Sequence, residues 1–135
     1  MKEKIIKIFI LFFGLASLIS CDPPRYYDYF IKNNCNEEIE VKIVVCTLNC
    51  NTNYKKINEK PSVQINSNET MLIYSDNYFQ PLSDYMVEYF FEEIIVTKGK
   101  YTSKINYIDR KLWGFRKTSK DHADSYLTVN PEDFE

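Results

Sequence analysis

In Ile39-Glu40-Val41-Lys42-Ile43-Val44-Val45-Cys46-Thr47-Leu48, apolar Ile39, Val41, Ile43 and Val45 alternate with charged Glu40 and Lys42. A period of two puts one set of side chains on each face of an extended chain, so this run reads as a half-buried strand. Upstream, Tyr26 to Asn33 alternates in the same way, with Tyr27, Tyr29 and Ile31 opposed to Asp28 and Lys32. The Asn-rich cluster Asn33-Asn34-Cys35-Asn36-Glu37 lies between the two runs. Asparagine tolerates left-handed backbone, so the three pieces together predict an antiparallel hairpin.

Downstream the pattern repeats in short units. Asn49 to Pro61 is polar and reads as a long surface loop. Val63 to Ile65 is a strand, Asn66-Ser67-Asn68-Glu69 a turn, and Thr70 to Ser75 a further strand. Asp76 to Leu82 reads as a loop carrying Tyr78 and Phe79. Ser83 is placed to cap a short helix in which Leu82, Tyr85, Met86, Tyr89 and Phe90 form one apolar stripe. Glu93 to Thr97, Tyr101 to Tyr107, Lys111 to Thr118 and Asp124 to Asn130 are the remaining strands. Lys98-Gly99-Lys100 and Asp109-Arg110 turn the chain between them, and Ser119 to Ala123 is a loop.

About seven short strands without βα alternation predict a mainly β fold, a small β-sandwich with one short helix. It is immunoglobulin-like only loosely, because Cys35, Cys46 and Cys50 all precede Trp113 and the Cys-Trp-Cys order is missing. The chain has 135 residues, enough for one domain and not two. Its 11 tyrosines and 9 phenylalanines against 3 glycines favour strands over helices. The formal net charge is −2, and no basic stripe of the kind that binds nucleic acid is present. The basic residues from Arg110 to Lys120 run directly into Asp121 and Asp124, as in an ordinary solvated hairpin.

The amino terminus has a separate character. Lys2, Lys4 and Lys7 precede an apolar run from Ile8 to Leu18. A helix that spans a bilayer needs about 20 apolar residues, so this run has the length of a signal peptide. It ends in Leu18-Ile19-Ser20-Cys21, which resembles the lipobox of bacterial lipoproteins. The resemblance covers the first fifth of the chain. With the Asn-, Lys- and Tyr-rich composition and the short β-domain, it extends to the small lipoproteins of bacteroidete-type bacteria. It implies a helical signal peptide over residues 1–20, cleavage before Cys21 and acyl chains on Cys21 that hold the protein to a membrane. Residues 21–26, with Pro23 and Pro24, form a semi-rigid tether, and residues 27–135 form the domain. The implied location is the cell envelope, with the outer membrane favoured and its two faces left open.

With Cys21 acylated, three thiols remain. Cys46 and Cys50 are close enough in sequence to close a small disulfide, and Cys35–Cys50 is the next choice. The hairpin would hold Cys35 and Cys46 too far apart to pair. The single histidine, His122, sits in Lys120-Asp121-His122-Ala123-Asp124. Catalysis would make it a base oriented by Asp121 or Asp124, but no nucleophile motif accompanies it and it reads as an exposed loop residue. A zinc site would need four ligands, for which Cys35 and His122 are the spare candidates, so no metal and no cofactor is expected. Glu37-Glu38 and Glu92-Glu93 are adjacent in sequence, which does not place two carboxyls across a cleft.

No catalytic residue is therefore assigned. Tyr78 and Phe79 are the candidate ligand-contact aromatics, and Tyr26-Tyr27 follows the tether. The expected function is a lipid-anchored, non-enzymatic binding or structural domain that meets an envelope glycan or protein. The alternative is an immunity or inhibitor lipoprotein directed against a periplasmic toxin or enzyme.

Overall fold

The computed structural model describes residues 24–45, 62–78 and 86–135. Among the described residues eight strands form two four-stranded sheets. They are β1 (Arg25–Asn33), β2 (Ile39–Val45), β3 (Val63–Ile65), β4 (Thr70–Tyr78), β5 (Phe91–Lys98), β6 (Tyr101–Thr102), β7 (Trp113–Lys117) and β8 (His122–Val129). A short helix, α1 (Met86–Phe90), leads directly into β5. The first sheet has the order β4-β1-β8-β7 and the second β3-β2-β5-β6. The sheets meet across an aromatic core, where Tyr29 of β1 lies edge-on to Phe91 of β5 with ring centroids 4.9 Å apart. Phe90, Trp113 and Tyr74 surround the same tyrosine. The expected sandwich is the observed one.

The predicted hairpin does not form. β1 and β2 lie in different sheets, and β1 pairs with β4 antiparallel and with β8 parallel. The reason is the fully buried Asn33. Its side-chain amide donates to the carbonyls of Glu37 (2.7 Å) and Ile65 (2.9 Å), and its oxygen accepts from the Cys35 amide (2.9 Å). The amide bonds turn the chain out of the first sheet and dock it on the end of β3. An asparagine cluster read as a hairpin turn is instead the corner of the sandwich. Ser67 supports it from outside by donating to the Cys35 carbonyl.

Other boundaries move for similar reasons. Asp76 to Tyr78, expected in a loop, continue β4 because Arg25, Tyr26 and Tyr27 offer them a partner. Arg25 and Tyr26 thus belong to β1 and not to the tether. His122 and Ala123, also expected in a loop, pair with Tyr26 and Tyr27 as the start of β8. The strand expected over Tyr101 to Tyr107 stops at Thr102. Tyr107 then turns inward, donating to Asp133 (3.0 Å) and accepting from Ser103 (2.9 Å), while its carbonyl receives the Trp113 indole N–H (2.7 Å). Burial raises the Tyr107 pKa.

The helix is present, but within its described side chains the buried positions are Val87 and Phe90, with Tyr89 only half-buried. Leu82, Ser83 and Tyr85 lie outside the described residues, as do the signal peptide, Cys21, Cys46, Cys50 and Phe79. Cys35 is a buried free thiol in the structure, and Cys50, its alternative partner, is among the residues outside it. Among the described residues no helix is long and apolar enough to cross a membrane.

Candidate functional site

Alternation gives the first sheet a packed face and an open one. Tyr27, Tyr29, Ile31, Ala123, Leu127 and Val129 point into the core. Their even-numbered neighbours point away from it. The parallel register sets Tyr26 beside His122, Asp28 beside Asp124 and Phe30 beside Tyr126. On one flank β4 adds Ser75 beside Asp28 and Leu72 beside Phe30. On the other β7 adds Arg116 beside Asp124. Residues far apart in sequence thus form a continuous patch.

The polar part of this patch is a hydrogen-bonded chain. His122 Nε2 lies 2.9 Å from Asp28 Oδ2 and 3.5 Å from Asp124 Oδ1. The other oxygen of Asp28 accepts from the Ser75 hydroxyl. The other oxygen of Asp124 accepts from Arg116 (3.2 Å) and from the Tyr126 hydroxyl (2.9 Å). Arg116 in turn donates to the Tyr126 oxygen (2.9 Å). The bond to Asp124 raises the pKa of Tyr126 and that of Arg116, because it favours the protonated form of each.

Two chemical capacities follow from this geometry. Nε2 of His122 and one oxygen from each aspartate lie within 4.8 Å of one another, a donor set that could hold a divalent cation. Ser75, Arg116 and Tyr126 would then orient the carboxylates from outside. The second capacity concerns the serine. Asp28 stands between Ser75 and His122, whereas a histidine that takes a serine proton must itself contact the hydroxyl. The chain of bonds is in the wrong order for that relay.

The apolar part of the patch lies alongside. Phe30 and Tyr126 stack, with centroids 5.1 Å apart and planes 14° from parallel. Arg116 lies over the same Tyr126 ring at 5.4 Å. Tyr26 is 48% exposed and Leu72 47%. Tyr26 also leans on His122, with ring centroids 6.2 Å apart.

The sequence-derived candidates are distributed unevenly over this map. Of the Tyr26-Tyr27 pair, Tyr26 is on the patch and Tyr27 is core. Tyr78 is the last residue of β4, paired with Arg25, and not part of a loop. His122 is joined to Asp124 as one alternative had it, but its shorter contact is Asp28, 94 positions earlier. That partner leaves no local signal, because a parallel pairing between the first and last strands is not encoded in either strand alone. Cys35 and His122 sit at opposite ends of the β1–β8 ladder, about 20 Å apart at 3.3 Å per residue, so they form no common site. Glu92 and Glu93 both face solvent because β5 bulges opposite Val44 and Val45. Glu37 and Glu38 are exposed beside the Asn33 corner. No family model, curated protein or solved structure matches the chain.

Proposed function

We propose that the protein is a lipid-anchored, non-enzymatic binding domain of the bacterial cell envelope, and that the open face of the first sheet is its ligand surface. One observation carries the choice of face: exposed Leu72 flanks the stacked Phe30–Tyr126 pair, and exposed Tyr26 stands across an ordered row of hydrogen-bonding groups from it. Flat rings next to fixed donors and acceptors suit a sugar ring or an anchor side chain of a protein. The Ser75–Asp28–His122 order supports the non-enzymatic reading. The lipobox supports the anchor, which confines the domain to one surface and raises its effective concentration near envelope partners.

The test uses the full chain in two steps. Cys21→Ser should leave unprocessed precursor and abolish labelling by a palmitate analogue; unchanged labelling would sink the anchor. The acylated protein should then retain an envelope glycan or protein in a membrane pull-down. Tyr26→Ala combined with Phe30→Ala should weaken that retention about tenfold or more, since each ring contributes roughly 1 kcal/mol beyond its buried area. Retention unaffected by the double substitution would move the ligand surface elsewhere.

A further inference from the structure

We infer that His122, Asp28 and Asp124 form a binding site for one divalent transition-metal ion of the zinc class. The site lies on the open face of the first sheet, and the ion is bound whatever else that face receives.

The three donors stand on two neighbouring strands. The parallel register sets Asp28 directly beside Asp124, and His122 precedes Asp124 by two residues on the same face. Both strands are interior to the sheet, with β4 beyond β1 and β7 beyond β8. The ladders therefore fix the three backbone positions before any ion arrives. His122 Nε2 is 2.9 Å from Asp28 Oδ2 and 3.5 Å from Asp124 Oδ1, and the three donor atoms lie within 4.8 Å of one another. Zinc bonds of about 2.0–2.1 Å in a tetrahedron set neighbouring donors about 3.3 Å apart. The two separations bracket that edge, so an ion needs small side-chain shifts and no movement of the strands.

Each carboxylate is also held from the side that faces away from the imidazole. Asp28 Oδ1 accepts from the Ser75 hydroxyl. Asp124 Oδ2 accepts from Arg116 and from the Tyr126 hydroxyl. These three residues lie outside the donor set. They engage the outer oxygens and leave Asp28 Oδ2 and Asp124 Oδ1 turned toward Nε2. Metal-binding carboxylates are oriented in this way, by hydrogen bonds to the oxygen that the ion does not take.

Charge favours an ion at the same point. Like charges directly opposite each other across a ladder repel. Arg116 places a fixed positive charge beside Asp124, whereas Asp28 receives a neutral hydroxyl. A cation between the inner oxygens relieves the repulsion that remains. The nitrogen donor narrows the class of cation. Calcium and magnesium take oxygen ligands, whereas imidazole suits zinc, copper and nickel. The His122 side chain is 39% exposed, so solvent reaches the site and a water can complete the shell of three protein ligands.

The experiment titrates zinc chloride into the acylated full chain in detergent micelles, after treatment with a chelator. The chain has a single histidine, so isotope labelling of that residue type reports on His122 alone. One zinc should bind per chain and shift the Nε2 resonance of His122. In Asp28→Asn and in His122→Ala the affinity, read by competition with a chromophoric chelator, should fall about tenfold or more, since even the partners that orient a ligand are worth that much. Exposed Glu92, which is not part of the site, should be replaceable by Gln without change. Cobalt in place of zinc should give no thiolate charge-transfer band. Absence of zinc binding by the unaltered chain would overturn the site, as would binding that leaves the His122 resonance unmoved. Unchanged affinity in Asp28→Asn, or a thiolate band with cobalt, would put the ion on other ligands and overturn it equally. The resonance test uses the unaltered chain, so it decides the matter even where a variant fails to fold.

Discussion

Tyr29 carries an unusual burden for one side chain. Its ring is the centre of the core, yet its hydroxyl is buried without a hydrogen-bond partner. Burial raises its pKa far above that of a free phenol, with nearby Tyr27, Tyr74 and Asp76 adding to the shift. The folded-state value therefore lies above the unfolded value near 10. The resulting stability is complete below about pH 10 and is lost as the pH climbs beyond it. Tyr29→Phe removes an unsatisfied polar atom and keeps the ring, so it should stabilise by about 1 kcal/mol. It should also soften the alkaline limb of the stability curve, as denaturant titrations at neutral pH and above pH 10 would show. A loss of stability at neutral pH would mean that the hydroxyl has a partner. Asn33 is the opposite case, a buried polar group with both amide donors and its oxygen engaged. Asn33→Ala should cost about 2–4 kcal/mol, because it leaves two carbonyls and an amide unpaired at the corner. Urea midpoints of the two variants should therefore move in opposite directions.

Elements were the most legible level of the sequence, and turns show why. Gly99 occupies the first central position of the two-residue link between β5 and β6, at φ 56°, where a glycine has no Cβ to strain. A Cβ there would meet no atom within 4 Å, so the cost of Gly99→Ala is backbone strain alone. It should be about 1 kcal/mol in a thermal melt, with the fold unchanged. Asn68 takes a similar conformation, at φ 61°, in the Asn66–Glu69 turn, and both turns were readable from residue type. The alternation of β1, β2 and β8 was equally plain. Element ends were not, because Asp76 to Tyr78 and His122 to Ala123 carry no apolar alternation of their own and become strand only by acquiring a neighbour. The same dependence hid half of the candidate site. Asp124 lies two residues from His122 and could be proposed from the sequence, whereas Asp28 arrives through a ladder that joins the two ends of the domain.

At the scale of the molecule, strand pairing departs most from sequence order. Asn34 is bonded to Asn130, 96 positions later, and β1 lies between β4 and β8. The first sheet is thus incomplete until the last strand is made. A chain ending at Lys120 would lack β8, expose one edge of β1 and strand β7 without a partner. It should show no cooperative unfolding transition, whereas removal of Glu135 alone should leave the transition in place; calorimetry would distinguish the two. The central position of β1 also has a mechanical meaning. A pull on the residues before Arg25 runs lengthwise along a strand flanked on both sides by ladders. Such a load meets the β4 and β8 hydrogen bonds in shear, all together, and does not peel them one at a time. The end through which tension would enter the domain is therefore built on its most firmly held strand.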